Sequence, residues 1–182
     1  MSRGDGVSHL VLVGLMGTGK TSVGRECAAR LDRPFVDVDE QIETGTGRPV
    51  AEIFATDGEA AFRVLERDAL ADVCASPVPL VIACGGGAMG DADNRRRVRA
   101  AGVVVWLTAD PQTLAGRVGQ GANRVQRPLL AGGDPPVATL ERLASLRAPA
   151  YEAAAHATVD TAGRNVDEVA TLVLEELAQC RA

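Results

Sequence analysis

Aromatic side chains are scarce in this 182-residue chain, which has one Trp, one Tyr and three Phe. A nucleic-acid surface that stacks bases on rings needs more of them, so that class is disfavoured. The four cysteines, Cys27, Cys74, Cys84 and Cys180, lie far apart and never form C-x-x-C. That pattern indicates neither a zinc site nor a disulfide framework, and they read as small core residues. No apolar run reaches the length of a membrane span, and the first residues, Met1 to Gly6, lack the apolar stretch of a secretory signal. A cytoplasmic location without membrane contact is therefore expected. The net charge of −5 gives no overall reason to bind nucleic acid. The length suits one domain over residues 1–182, and there is no internal repeat, low-complexity tract or linker. A monomer is the simplest expectation.

What the chain does have is Gly-Leu-Met-Gly-Thr-Gly-Lys-Thr at 14–21, which fills every fixed position of G-x-x-x-x-G-K-[ST]. The glycines let successive backbone N–H groups turn inward around a phosphate, Lys20 reaches the β/γ oxygens, and the Thr21 hydroxyl is a magnesium ligand. Context supports the motif. Leu10 to Val13 is an apolar strand candidate, whereas Val23, Cys27, Ala28 and Leu31 recur at helical spacing, so the loop joins strand to helix. The expected ATP contacts are Gly14, Met16, Gly17, Thr18, Gly19, Lys20, Thr21 and Ser22.

Apolar, β-branched runs at 9–13, 34–38, 80–84, 103–107 and 157–160 alternate with amphipathic stretches, the pattern of a parallel sheet with crossover helices. Helices are predicted over Thr21–Leu31, Pro49–Ala55 and Glu59–Val73, the last with Phe62, Leu65, Ala69, Leu70 and Val73 as its stripe. Asp110-Pro111 marks another start, and Asn165 with Glu168 resembles a capping box. Arg95-Arg96-Arg97 with Arg99 reads as a solvated helix face. Residues 119–136, rich in Gly and Pro and carrying Arg124 and Arg127, fit no element and read as a mobile lid over the phosphate site.

The run Leu80 to Cys84 ends in Gly85-Gly86-Gly87 without a carboxylate, so an acid for magnesium must come from elsewhere. Asp37-Val38-Asp39 ends the second strand, and a period of two points both carboxylates to one side at the carboxyl edge of the sheet, where ligands bind in open α/β folds. Asp37 is then the candidate for the magnesium shell and Asp39 for orienting a substrate hydroxyl. The bland alternative makes Asp39 the N-cap of a helix beginning at Glu40. The three glycines allow a ligand to approach the backbone closely.

Taken together, these residues resemble the shikimate kinases, small phosphate-loop kinases related to the nucleoside-monophosphate kinases. The resemblance rests on the phosphate loop, Asp37-Val38-Asp39, Gly47-Arg48-Pro49, Phe62-Arg63, Gly85-Gly86-Gly87, Arg127-Pro128-Leu129-Leu130 and Arg147-Ala148-Pro149-Ala150-Tyr151, in the family's order over residues 8–178. It departs at Cys84, where relatives often carry a small hydroxyl residue, and at Val166, where proline is common. The resemblance implies a three-layer α/β/α fold with a five-stranded parallel sheet and a lid, and ATP- and Mg2+-dependent phosphorylation of the 3-hydroxyl of shikimate. It assigns Asp39 to the ring hydroxyls, Arg63 and Arg147 to the substrate carboxylate, and Gly85, Gly86 and Gly87 to the substrate pocket. Lys20, Asp39 and Arg127 become the catalytic set, Arg127 reaching from the lid, and Arg117 and Arg164 lie on the adenine side. A related gluconate kinase, or a nucleotide-binding module without turnover, would share the phosphate loop but need not keep the whole set.

Overall fold

The computed structural model describes residues 8–120 and 135–181. Five parallel strands form one sheet in the order β2-β3-β1-β4-β5: β1 His9–Val13, β2 Phe35–Asp37, β3 Val81–Ala83, β4 Gly102–Thr108 and β5 Ala157–Asp160. β1 is central and buried along its whole length, so its residues are apolar on both faces, apart from His9 at its start. Leu10 and Leu12 pack with Val103, Val105 and Leu107 against α1 (Lys20–Leu31) and α8 (Val166–Gln179). Val11 and Val13, pointing the other way, pack with Ile82 and Val104 against α4 (Gly58–Cys74), α5 (Ala92–Ala101) and α7 (Pro136–Ala154). The result is the expected three-layer α/β/α arrangement. All four cysteines are free thiols, with Cys27 and Cys84 fully in the core.

Helix starts follow the side chains that satisfy them. Asp110 accepts from the backbone N–H and the hydroxyl of Thr113 at the head of α6 (Pro111–Gln120). Asn165 and Glu168 form a reciprocal capping box on α8. Two sequence expectations need correction here. The second strand stops at Asp37, and α2 (Val38–Thr46) begins at once, because the Asp37 carboxylate caps that helix by accepting the Asp39 N–H at 3.1 Å. Asp39 is thus neither a strand residue in phase with Asp37 nor an N-cap. The arginine run is not simply a solvated face either. Arg95 donates to the carbonyl of Met89, and Arg99 donates to those of Ala154 and Ala155 at 3.0 and 2.9 Å, closing the C-terminus of α7.

Both ends of the stretch 119–136 touch helices. α6 continues through Gln120, and α7 starts at Pro136, where a proline costs a helix nothing because that N–H has no intrahelical acceptor. Residues 121–134, with Arg124 and Arg127, lie outside the described residues. The short α3 (Val50–Thr56) stands between α2 and α4, and Arg48 ties its end by pairing with Glu52 and Asp57.

Candidate active site

The carboxyl ends of β1, β2 and β3 open into one cavity of about 660 Å³. On one side the phosphate loop leaves β1. Gly14 and Gly19 have φ of 144° and 89°, values that L side chains rarely adopt, and Gly19 stands at the N-cap of α1 without a capping side chain. The first-turn N–H groups of α1 therefore face the cavity, where they favour an anion. Lys20 curls back so that Nζ donates to the carbonyls of Gly14 and Leu15, both at 2.9 Å. Met16, Gly17, Gly19, Lys20, Thr21 and Ser22 line the cavity. Gly14 and Thr18 belong to the support beneath it, Thr18 being buried and donating to the Leu15 carbonyl at 2.8 Å.

Thr21 Oγ1 donates to Asp37 Oδ2 at 2.8 Å, which brings together the hydroxyl and carboxylate picked from sequence as magnesium ligands. Both are hard oxygen donors on the cavity wall, the kind of first shell that Mg2+ takes while keeping waters and phosphate oxygens. Among the described residues no group of three or more His, Cys, Asp or Glu side chains forms a metal cage. The donor set therefore fits a metal that arrives with a nucleotide.

Across the cavity stand Asp39, Arg63, Gly85, Gly86, Gly87 and Arg147. Asp39 Oδ1 is sealed from water and has no hydrogen-bond partner in the described structure. Burial, and then the negative charges of Asp37 and Glu66, push its carboxyl up to about 7 against the opposing pull of Lys20 and Arg63. The glycines let these side chains come close to the backbone. A Cβ on Gly85 would sit 2.5 Å from Glu66 Oε1 and 2.9 Å from Asp39 Oδ1, and one on Gly87 would overlap the Arg63 guanidinium.

Arg63 combines its bland and its functional readings. It pairs with Glu59 at 2.9 Å, as an exposed helix pair would, yet its Nη1 also donates at 2.7 Å to Glu66 and it lines the cavity. Arg147 reaches the same wall from α7, with Nη1 donating at 2.9 Å to the Gly86 carbonyl. Arg117 lines the cavity too, joining the Gly17 carbonyl at 3.3 Å to Thr161 at 2.8 Å. Arg164 does not. It is exposed in the β5–α8 connection, donates to the Asp160 carbonyl at 2.9 Å and lies off the cavity wall.

Glu66 went unmarked in the sequence, and Tyr151 stood there only as the end of the Arg147-to-Tyr151 motif, without a role. Glu66 is 1% exposed, its Oε1 is unpartnered, and burial raises its carboxyl above the usual range. The signal was available, because Phe62, Glu66, Leu70 and Val73 are the buried positions of α4 and a carboxylate in such a stripe needs a reason. Tyr151, the largest fully buried side chain among the described residues, donates its hydroxyl to the Gly86 carbonyl.

A family model described as shikimate kinase matches residues 16–178. A shikimate kinase of Symbiobacterium thermophilum is 47% identical over 172 residues, covering 94% of this chain and 97% of that protein. A solved shikimate kinase from Acinetobacter baumannii, in complex with shikimate, superposes with a TM-score of 0.89 at 34% identity, covering 96% of this chain and 95% of that one. A gluconokinase from Sinorhizobium meliloti superposes with a TM-score of 0.57 at 22% identity and 96% and 93% coverage, a likeness of fold alone.

Proposed function

The chain belongs to the shikimate kinase family, and we propose that it transfers the γ-phosphoryl group of ATP to the 3-hydroxyl of shikimate, yielding shikimate 3-phosphate and ADP. What carries this reading is one cavity in which a carboxylate with a raised pKa and two arginines face a complete phosphate loop. The acceptor oxygen forms a bond to the γ-phosphorus, the bond from that phosphorus to the bridging oxygen of ADP breaks, and the hydroxyl proton passes to Asp39. A base titrating near the working pH suits that task.

Each wall then has a job. The Lys20 ammonium and the α1 N-terminus hold the phosphates, and Arg63 and Arg147 clamp the substrate carboxylate while the glycines let the ring approach. Thr21 and Asp37 would hold Mg2+, which when bound neutralises charge on the phosphate oxygens. Arg117 borders the nucleotide, and Arg164 is the second arginine assigned to the adenine side. Arg127, on a lid within residues 119–136, closes over the transferring group. No helix among the described residues is long and apolar enough to cross a membrane, and the same reading has the protein working as a cytoplasmic monomer of one domain.

The deciding experiment is ADP release by the purified protein with shikimate, quinate and gluconate in parallel. Turnover selective for shikimate is expected. Equal turnover with gluconate, or ADP release that no acceptor stimulates, would overturn the assignment.

A further inference from the structure

One carbonyl on the acceptor wall collects two donors from a single helix. Arg147 Nη1 donates to the Gly86 oxygen at 2.9 Å, and the Tyr151 hydroxyl donates to the same oxygen. Residues four apart on α7 share a face, so the helix delivers both groups to one point. The contact with the loop is close, because a Cβ on Gly86 would lie 3.2 Å from Arg147 Nη1.

Tyr151 is built into this position. It is 1% exposed, and its ring packs on Trp106 of β4 with centroids 5.5 Å apart. Burial keeps the phenol protonated by pushing it up to about 12, so it remains a donor. A buried hydroxyl without a partner would be costly, and the oxygen it chose belongs to the loop that faces the substrate. The charged groups around it are Arg147 and Glu66, with the thiol of Cys84 behind.

We propose that Tyr151 is a positioning residue of the carboxylate clamp: by fixing the Gly86 peptide from behind, its hydroxyl sets where the Arg147 guanidinium points, and so governs affinity for a carboxylated acceptor that it does not touch. The proposal rests on the reading of Arg147 as a carboxylate ligand. A guanidinium that met nothing but a glycine carbonyl would have several rotamers open to it, and here the Tyr151 hydroxyl lies within hydrogen-bond reach of the Arg147 side chain as well as of the Gly86 carbonyl. With the peptide pinned by Tyr151, the remaining N–H groups of Arg147 are presented in one direction, and less ordering is left for the substrate to bring about.

Tyr151→Phe keeps the ring against Trp106 and removes only the hydroxyl. The expected result is a rise of about 2- to 10-fold in the KM for shikimate, the scale of one hydrogen bond, with kcat and the KM for ATP changed less than twofold. The effect must run through Arg147. Adding Tyr151→Phe to Arg147→Ala should then cause no further rise, and the single variant should treat shikimate methyl ester as the parent does. An unchanged KM, or an equal penalty in both backgrounds, would overturn the proposal. If Arg147→Ala itself leaves the KM for shikimate unchanged, the clamp reading fails instead.

A second measurement does not depend on activity. Tyr151 is the only tyrosine in the chain, so growth on 3-fluorotyrosine gives one ¹⁹F resonance at this site. Shikimate should shift that resonance in the parent and not in Arg147→Ala at the same site occupancy. A resonance that is indifferent to saturating shikimate, or that shifts equally in both proteins, would count against Tyr151.

Discussion

Replacing Asp39 with Asn, which keeps the side-chain shape and removes the charge, is expected to raise stability while lowering turnover. Burial and the neighbouring Asp37 and Glu66 move the Asp39 carboxyl from 3.8 to about 7. At about 1.36 kcal/mol per pKa unit, the ionised group would cost the fold about 4 kcal/mol above pH 7. The side chain is half-buried, and its repulsion is shared with two other carboxylates, so about 1–3 kcal/mol is the figure to test. For a chain of this size that is a rise in Tm of about 3–10 °C. The pH dependence identifies the cause. Because the folded-state pKa lies above the unfolded value, parent and variant should match at or below about pH 3.8. The gap should widen between there and about pH 7 and stay constant above. Thermal unfolding of both proteins without nucleotide or magnesium, from pH 4 to 8.5, reads this directly. A variant less stable than the parent at pH 8, or a gain that ignores pH, would refute the electrostatic account. Turnover of the variant should fall by about 10²–10⁴, the usual worth of a positioned acid–base group.

Lys20→Ala should fold normally and lose transfer, since it removes the charge opposite the β/γ-phosphates; near-parental ADP release would contradict the phosphate site. Arg63→Lys and Arg147→Lys should each raise the KM for shikimate and leave that for ATP within a few-fold, because an ammonium cannot reproduce the planar fork. Shikimate methyl ester should be a poor substrate of the parent, and similar kcat/KM for ester and acid would remove the clamp. Arg127→Ala should depress kcat by about 10³ or more, and hydrogen exchange across residues 119–136 should slow with an ATP analogue plus shikimate; exchange unchanged by both ligands would argue against closure. His9 accepts the Leu80 N–H on Nδ1 at 3.0 Å and is held neutral by burial, its pKa below the ordinary 6.5. The His9 contribution to stability should therefore fall as pH drops below about 6.5, opposing the relief at Asp39 over the same range, and His9→Gln should remove that fall so that stability below pH 6.5 declines less, or rises more, than in the parent.

Much of the fold was readable because the signals were local. The alternation of Leu10 and Leu12 with Val11 and Val13 needs no knowledge of partners to announce a strand buried on both faces, and Asp110 and Asn165 announce helices through bonds that span three residues. What failed was the boundary at Asp37. A strand and the first turn of a helix can both carry Asp-x-Asp, and the choice depends on whether the first carboxylate caps the Asp39 N–H or extends the ladder. The arginine run was legible as a solvated face but not in its backbone contacts, for a similar reason. Arg99 finds carbonyls 55 and 56 residues away, and no helical periodicity marks that pairing.

The candidate site divides along the same line. Lys20 and Thr21 were legible because the phosphate loop makes its geometry from consecutive residues, whereas the acceptor wall is assembled from four separate segments. Arg63 on α4, Asp39 on α2, the glycines after β3 and Arg147 on α7 meet only in the folded chain, and without the family pattern each has a bland reading. Glu66 is the residue that periodicity alone could have found, as a carboxylate at a core position of α4. Its pairing with Arg63 is also why it is tolerated. One oxygen is matched at 2.7 Å by the guanidinium, but the other is left bare beside the equally bare Asp39 Oδ1. Two buried acceptors near Gly85 that lack a donor are unfavourable for folding, and under the proposed reaction a hydroxyl of the acceptor that reached them would relieve that cost. The cost to the fold and the readiness for substrate have one origin, so a substitution that relieves the first should weaken the second.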